Sequence, residues 1–80
     1  MFFIIKVYDT VYGEVVTEYH YQNKKNAKKK FYEVLTEFNN KTDNEPEDYG
    51  FDNWESFNDS CWEDKQLMEV VECLEATFDD

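Results

Sequence analysis

Two runs of β-branched and aromatic residues open the chain and predict a pair of strands. The runs extend from Phe2 to Tyr8 and from Val15 to Gln22, and such residues favour pleated, half-buried surfaces. A short loop containing Gly13 separates them, which is typical of a hairpin. Because side chains alternate along a strand, Phe3, Ile5 and Val7 should share one face of the first strand. In the same way, one face of the second strand should carry Val15, Thr17, Tyr19 and Tyr21.

The segment from Asn23 to Asn40 has the periodicity of an amphipathic helix. Its apolar residues recur at the spacing of one helix face, and they are Ala27, Phe31, Val34, Leu35 and Phe38. Either Asn23 or Asn26 can cap the start of this helix, and the pair Asn39 and Asn40 can close it. We therefore expect one long helix that packs on the hairpin.

A second helical pattern begins at Phe51, after a loop from Lys41 to Asp48 that is rich in turn formers. Two sets of residues share the helical spacing: Phe51, Trp54, Phe57 and Cys61 are apolar, and Asp52, Glu55, Asp59 and Glu63 are acidic. The two sets point about 140° apart at roughly 100° per residue. We interpret the apolar set as core and the acidic set as an outward stripe, and we expect Tyr49 and Trp62 to be exposed beside it.

The segment from Lys65 to Asp80 fits either a strand or a helix. As a strand it places Met68, Val70, Leu74, Ala76 and Phe78 on one face, and as a helix it stacks Leu67, Val71, Leu74 and Phe78. A strand is preferred, because a lone hairpin is marginal in water and a third strand gives the first helix a sheet to cover. The predicted fold is a single α+β domain of order β-β-α-α-β, with a small antiparallel sheet packed against one long and one short helix.

Charge is distributed unevenly along these predicted elements. The chain has a net charge of -11 and no arginine; residues 1–30 carry six lysines and three acids, whereas residues 31–80 carry two lysines and sixteen acids. Such a field repels nucleic acid and membrane phosphates and attracts basic surfaces. No stretch approaches the roughly 20 apolar residues of a membrane span, and no signal peptide is evident, so we expect a cytoplasmic protein of an infected or host bacterial cell.

Residues that could carry catalysis or bind a cofactor form no recognisable motif. His20 is the only histidine and has no nucleophile or acid at triad spacing. The loop from Asp43 to Asp48 lacks the glycine and the final glutamate of a calcium-binding loop. Cys61 and Cys73 have no C-x-x-C spacing, which favours reduced thiols. We therefore expect no enzyme activity, no metal and no cofactor.

The lysines between Lys24 and Lys30 allow two interpretations. They could bind phosphate, but their place at the start of an amphipathic helix favours a solvated helix side. On that interpretation Lys29 pairs with Glu33, Glu37 pairs with Lys41, and the cluster is neutralised by carboxylates from the acidic half. Aligned acids on the second helix have no such explanation, because like charges four residues apart destabilise a helix by a few tenths of a kcal/mol, roughly. These aligned acids indicate selection for the negative electrostatic field that they produce.

The acidic, arginine-free chain, with its β-β-α start and aromatic second half, resembles the small inhibitors that phages and mobile elements encode, including anti-CRISPR proteins and antirestriction DNA mimics. The segment Tyr49 to Asp59 is similar to the one that opens the inhibitory helix of barstar-type ribonuclease inhibitors. That resemblance implies that Asp52, Glu55 and Asp59 face a nuclease.

We therefore expect a stoichiometric inhibitor that occupies the nucleic-acid-binding cleft of a CRISPR effector or another bacterial defence nuclease. It would bind a basic protein surface and neither nucleic acid nor membrane. The expected partner-binding residues are Glu47, Asp48, Tyr49, Asp52, Glu55, Asp59, Trp62, Glu63 and Asp64. The alternative is a small acidic regulatory or structural subunit that docks a basic protein unrelated to nucleic acid. A homodimer formed by pairing of sheet edges is compatible with both.

Overall fold

The computed structural model describes residues 2–68 and 72–79, which form an antiparallel sheet with helices on one face. The elements are β1 (Phe2–Asp9), β2 (Glu14–Tyr21), α1 (Lys24–Lys41), a 3-10 helix (Pro46–Tyr49), α2 (Trp54–Asp64), β3 (Gln66–Met68) and β4 (Glu72–Asp79). The strand order in the sheet is β2-β1-β4-β3. The predicted α+β class is confirmed, and the order gains one strand because the C-terminal segment forms both β3 and β4.

The hairpin of β1 and β2 matches the predicted pattern except at its tip. Ile5 lies opposite Tyr19, and Val7 lies opposite Thr17, on the face that the helices cover. The register then shifts between Val7 and Tyr8, so that Tyr8 lies opposite Val15. A bulge of this kind inserts one residue and moves the next side chains to the other face. The prediction that Val15 shares a face with Thr17, Tyr19 and Tyr21 was therefore wrong, and Val15 is 43% exposed.

Helix α1 begins where the sequence predicts but ends later. The Asn23 side chain accepts a hydrogen bond from the Lys25 backbone N–H at 2.8 Å, so Asn23 and not Asn26 is the cap. The predicted closure at Asn39 and Asn40 was wrong. The helix continues to Lys41, and the backbone N–H of Thr42 donates to the Phe38 carbonyl at 2.9 Å.

The C-terminal segment pairs with itself as well as with β1. Leu74 and Ala76 of β4 are buried under the helices, as the strand prediction requires, and Phe78 packs against the same core. Because β3 runs antiparallel to β4, Met68 lies opposite Cys73 and not in line with Leu74. The prediction that Met68 shares the inner face was wrong, and its side chain is 64% exposed. Val70 and Val71 lie outside the described residues.

The core lies between the sheet and the two helices. Its buried side chains are Phe3, Ile5, Ala27, Phe31, Leu35, Phe57, Cys61, Leu67, Leu74 and Ala76. Among the residues that the structure describes, no charged or polar side chain is buried. The charged groups of the described residues are consequently at least partly exposed, where they can act on a partner.

Candidate partner-binding surface

The 3-10 helix between the two long helices fixes the first acidic residues of the candidate surface. The Asp48 carboxylate accepts a hydrogen bond from the Glu45 backbone N–H at 2.7 Å and so holds the turn from one end. Gly50 closes the other end with a φ of 87°, a left-handed conformation that suits glycine. Asp48 therefore stabilises the local turn with one carboxylate oxygen, and both Asp48 and Glu47 are exposed.

Helix α2 begins at Trp54, three residues later than the sequence pattern predicts. The Asn53 side chain accepts a hydrogen bond from the Ser56 backbone N–H at 2.8 Å, which is a favourable N-cap. Asp52 lies before this cap, so the prediction that it belongs to the helical stripe was wrong. The stripe consists of Glu55, Asp59 and Glu63, which are four residues apart on one side of α2.

The inner side of α2 is held by a cluster of aromatic rings around Phe57. The Phe57 ring centroid lies 5.1 Å from that of Trp54, 5.7 Å from that of Phe51 and 6.2 Å from that of Phe38 on α1. The predicted core role of Phe57 is confirmed by its 3% exposure, and Trp54 and Phe51 pack half-buried against it. This cluster fixes the direction in which the carboxylates of α2 point.

Tyr49 and Trp62 are held more firmly than the sequence suggests. Both were expected to be exposed, and both are half-buried against the core. The Tyr49 ring centroid lies 5.1 Å from that of Phe57, and the Trp62 ring centroid lies 5.2 Å from that of Phe31. Helical spacing alone did not show that the flanks of α2 also meet rings from other elements. At most the outer edges of these two rings are available to a partner.

The carboxylates of the candidate surface remain in solvent. Exposed side chains in this group are Glu47, Asp48, Asp52, Glu55, Asp59, Glu63 and Asp64. Within residues 2–68 and 72–79, none of them forms an ion pair with a lysine. The surface therefore presents its negative charge without internal neutralisation.

Asp59 has a partner that sequence analysis did not identify. The Tyr32 hydroxyl on α1 donates a hydrogen bond to an Asp59 carboxylate oxygen at 2.6 Å. Burial, together with this hydrogen bond and the negative charge of Asp59, raises the pKa of Tyr32 well above its ordinary value. Tyr32 consequently remains a donor at neutral pH and holds Asp59 in place. Tyr32 follows Phe31 of the core stripe, and this position next to the stripe was the only signal in the sequence.

Three lysines of α1 contact aromatic rings, and none of them pairs with a carboxylate of α2 in the described part of the chain. The Nζ atoms of Lys24, Lys28 and Lys30 lie 5.5, 5.6 and 4.4 Å from the ring centroids of Phe78, Tyr32 and Tyr19, respectively. Such cation–π contacts stabilise a fold by about 0.5–1 kcal/mol each at exposed sites. Within the described residues, the prediction that carboxylates of the second half neutralise this cluster holds only for Lys30, whose partner Glu33 lies on α1 itself.

The ion pairs on α1 also differ from those expected from the spacing. Lys30 Nζ lies 3.6 Å from a Glu33 carboxylate oxygen. The expected pairs, Lys29 with Glu33 and Glu37 with Lys41, do not form in the part of the chain that the structure describes. Lys30 takes the place of Lys29, because its side chain lies between Glu33 and the Tyr19 ring. Lys24, Lys28 and Lys30 thus contact other parts of the fold, whereas Glu55 and Glu63 of α2 form no ion pair among the described residues.

The groups that could carry chemistry are few and separate. Cys61 and Cys73 are buried free thiols, and burial, aided by the charge of Asp64, raises the pKa of Cys61 to about 11. A buried thiol of this kind is a poor nucleophile at neutral pH. His20 is exposed on β2 and pairs with Glu18. In the described ranges, no group of three His, Cys, Asp or Glu side chains could hold a metal ion.

Comparison with known proteins adds no relative from which a function could be transferred. No family model, no curated protein and no solved structure matches the chain. Among the residues described, no helix has both the length and the apolar character needed to cross a membrane. The functional argument therefore depends on the surface itself.

Proposed function

We propose that this protein is a stoichiometric inhibitor that occupies the nucleic-acid-binding cleft of a bacterial defence nuclease, such as a CRISPR effector. It would act in the cytoplasm of the bacterium that contains the nuclease. The binding surface would consist of Glu47, Asp48, Asp52, Glu55, Asp59, Glu63 and Asp64, with the outer edges of Tyr49 and Trp62. These carboxylates would occupy positions that the cleft normally offers to phosphates.

The observation that carries this proposal is the position of acids where they oppose folding. The last turn of α2 contains Glu63 and Asp64 and no basic residue. Because the C-terminal end of a helix carries partial negative charge, each acid there costs about 0.3–1 kcal/mol. The three carboxylates of the stripe also repel one another. Glu55 suits the first turn of α2 and Asp59 binds Tyr32, but Glu63 and Asp64 have no such role in the described part of the fold, and they support selection for an external binding role.

The carboxylates of α2 form a row of negative charges, as the phosphates of a nucleic-acid strand do, at a lower density. Residues four apart on a helix have Cβ atoms about 5–6 Å apart. Duplex DNA carries one charge about every 3.4 Å along each strand. A cleft that holds such a strand with lysine and arginine side chains would therefore also attract the row formed by Glu55, Asp59 and Glu63. Electrostatic attraction of this type accelerates association and weakens with salt.

The test compares the wild-type protein with two charge-reversal variants of equal net charge. The first is Asp52→Lys, Glu55→Lys and Glu63→Lys, which spares Asp59 because that residue binds Tyr32. The matched control is Glu14→Lys, Glu18→Lys and Glu33→Lys, on β2 and α1. It removes the exposed pairs of Glu18 with His20 and of Glu33 with Lys30, so circular dichroism is used to verify that both variants are folded. Each immobilised protein is used to capture partners from a bacterial lysate, and the captured protein is identified by mass spectrometry. Its DNA or RNA cleavage is then measured with increasing amounts of each variant.

We expect the wild type and the control variant to retain a nuclease and to block its cleavage at a molar ratio near one. The α2 variant should remain folded but lose at least about tenfold in inhibition, because each charge pair at such an interface contributes up to several kcal/mol. Excess duplex DNA should displace the wild-type protein. Full inhibition by the folded α2 variant would contradict the proposed surface. A partner that competing nucleic acid does not displace would instead indicate an acidic docking subunit.

A further inference from the structure

A second feature of the surface is a cavity of about 420 Å³ between the C-terminal half of α1 and the sheet. Its apolar lining comes from four elements: Val7 of β1, Val34 and Phe38 of α1, Leu67 of β3 and Leu74 of β4. Small-molecule and side-chain pockets usually have volumes of about 300–1,000 Å³. The cavity is therefore large enough to receive a substantial apolar group.

The charged groups around this cavity favour a ligand that carries positive charge. Glu37, Asp43 and Glu72 line it together with a single lysine, Lys41. In the described part of the chain, none of these four residues takes part in an ion pair. An apolar floor with an acidic rim disfavours phosphates and suits an apolar group that has cations on either side.

The rim of the cavity is continuous with the acidic surface described above. The Asn44 backbone N–H donates to Thr42 Oγ1 at 3.2 Å, and the Asn44 side-chain amide donates to the Tyr49 hydroxyl at 3.0 Å. These contacts attach the loop that contains Asp43 to the 3-10 helix that contains Glu47 and Asp48. A partner bound to those acids would therefore also lie next to the cavity.

We infer that the cavity is an anchor pocket for one apolar side chain of the protein partner, flanked in the partner's sequence by lysine or arginine. The apolar side chain would enter among Val34, Leu67 and Leu74, and its cationic neighbours would pair with Glu37, Asp43 and Glu72. The inference rests on the proposed function in one respect, namely that the partner is a basic protein. Burial of a leucine-sized side chain would raise affinity by roughly tenfold to a hundredfold.

The experiment uses three capped peptides as probes. They are Gly-Lys-Leu-Arg-Gly, Gly-Lys-Gly-Arg-Gly without the apolar residue, and Gly-Glu-Leu-Glu-Gly without the cations. Binding is followed by NMR through the methyl signals of Val7, Val34, Leu67 and Leu74 of the full chain. We expect the first peptide to shift these signals in a saturable manner. The other two peptides should bind at least about tenfold more weakly, because each lacks one half of the recognition.

Two variants locate the binding. Val34→Phe should fill the cavity and abolish the shifts at Leu67 and Leu74, whereas Val16→Phe on the exposed hairpin should not. Glu37→Gln with Asp43→Asn should weaken the first peptide by about twofold to tenfold, as expected for exposed charge pairs. Its matched control is Glu14→Gln with Glu18→Gln. Because Glu37 and Asp43 are both exposed, this second variant preserves the fold even if Val34→Phe does not.

Three results would overturn the inference. These are the absence of methyl shifts up to about 10 mM peptide, equal binding of all three peptides, and unchanged affinity in both cavity variants. The variant Asp52→Lys, Glu55→Lys and Glu63→Lys on the α2 surface distinguishes a failure of this inference from a failure of the proposed function. It should still bind the first peptide, because Asp52, Glu55 and Glu63 do not line the cavity. Failure of the peptides with loss of nuclease inhibition in the α2 variant would reject the pocket alone.

Discussion

Helices α1 and α2 cover the same sheet but use their charged residues differently. On α1, Lys24 and Lys30 lie over Phe78 and Tyr19, and Lys30 also pairs with Glu33. On α2, Glu55 and Glu63 are exposed and form no ion pair within the described residues. Lys24 and Lys30 of α1 therefore stabilise the fold, whereas Glu55 and Glu63 of α2 remain available to something outside it. The two helices thus have similar amphipathic patterns in the sequence, although their charged residues differ in what they contact.

The largest expected effect separates the two sides of α2. Phe57→Ala should lower the free energy of unfolding by about 3–5 kcal/mol, because it removes the ring at the centre of the aromatic cluster. Glu55→Ala, on the outer side of the same helix, should change it by no more than about 0.5 kcal/mol. Urea denaturation followed by tryptophan fluorescence measures both. Comparable losses would show that the outer side also supports the fold.

An intermediate effect tests whether the acids at the end of α2 oppose folding. Glu63→Lys with Asp64→Lys should raise the free energy of unfolding by about 0.3–1 kcal/mol per residue, because cations suit a helix C-terminus. Glu55→Lys, in the first turn of the same helix, should lower it by a similar amount, about 0.3–1 kcal/mol. Thermal denaturation at low salt compares the two. If Glu63→Lys with Asp64→Lys destabilised the protein, these acids would favour folding, and the argument that they were selected for their negative electrostatic field would fail.

The smallest effect tests whether the lysines of α1 belong to the fold. Lys30→Met keeps the apolar stem but removes the cation that contacts the Tyr19 ring and Glu33, so it should cost about 0.5–1.5 kcal/mol. Lys25→Met is the control, because Lys25 is exposed and contacts no aromatic ring in the described chain. The same denaturation experiment serves here. Equal stability of the two variants would show that Lys30 does not stabilise the fold, so that α1 would not differ from α2 in this respect.

Local patterns in the sequence were sufficient for most of the fold. The hairpin and α1 were predictable because alternation, helical periodicity and the Asn23 cap all act over a few residues. The bulge that turns Val15 outward and the pairing that places Met68 opposite Cys73 were not, since both depend on register between strands. The late start of α2 was indicated in the sequence by Asn53, which is a favourable N-cap residue. The prediction followed the apolar spacing from Phe51 instead, and it therefore started the helix three residues too early.

The candidate site was predictable only in part. Exposure of the acids from Glu47 to Asp64 follows from their charge, because burying an unpaired carboxylate is costly. The Tyr32 hydrogen bond to Asp59 and the ring contacts of the lysines join residues that are distant in sequence. The cavity likewise combines side chains from α1 and from three strands. Features of this kind arise from tertiary packing and leave no local pattern.

The position of β1 and β4 at the centre of the sheet has a consequence for the order of folding. Phe3 pairs with Phe78, so the two middle strands come from opposite ends of the described chain. The hairpin and α1 can form from local contacts, but their apolar face meets β4 only after a long loop closes. Because folding slows as contacts become more distant in sequence, we expect pairing of β1 with β4 to be the slow step. During synthesis, β4 must leave the ribosome before the sheet can close.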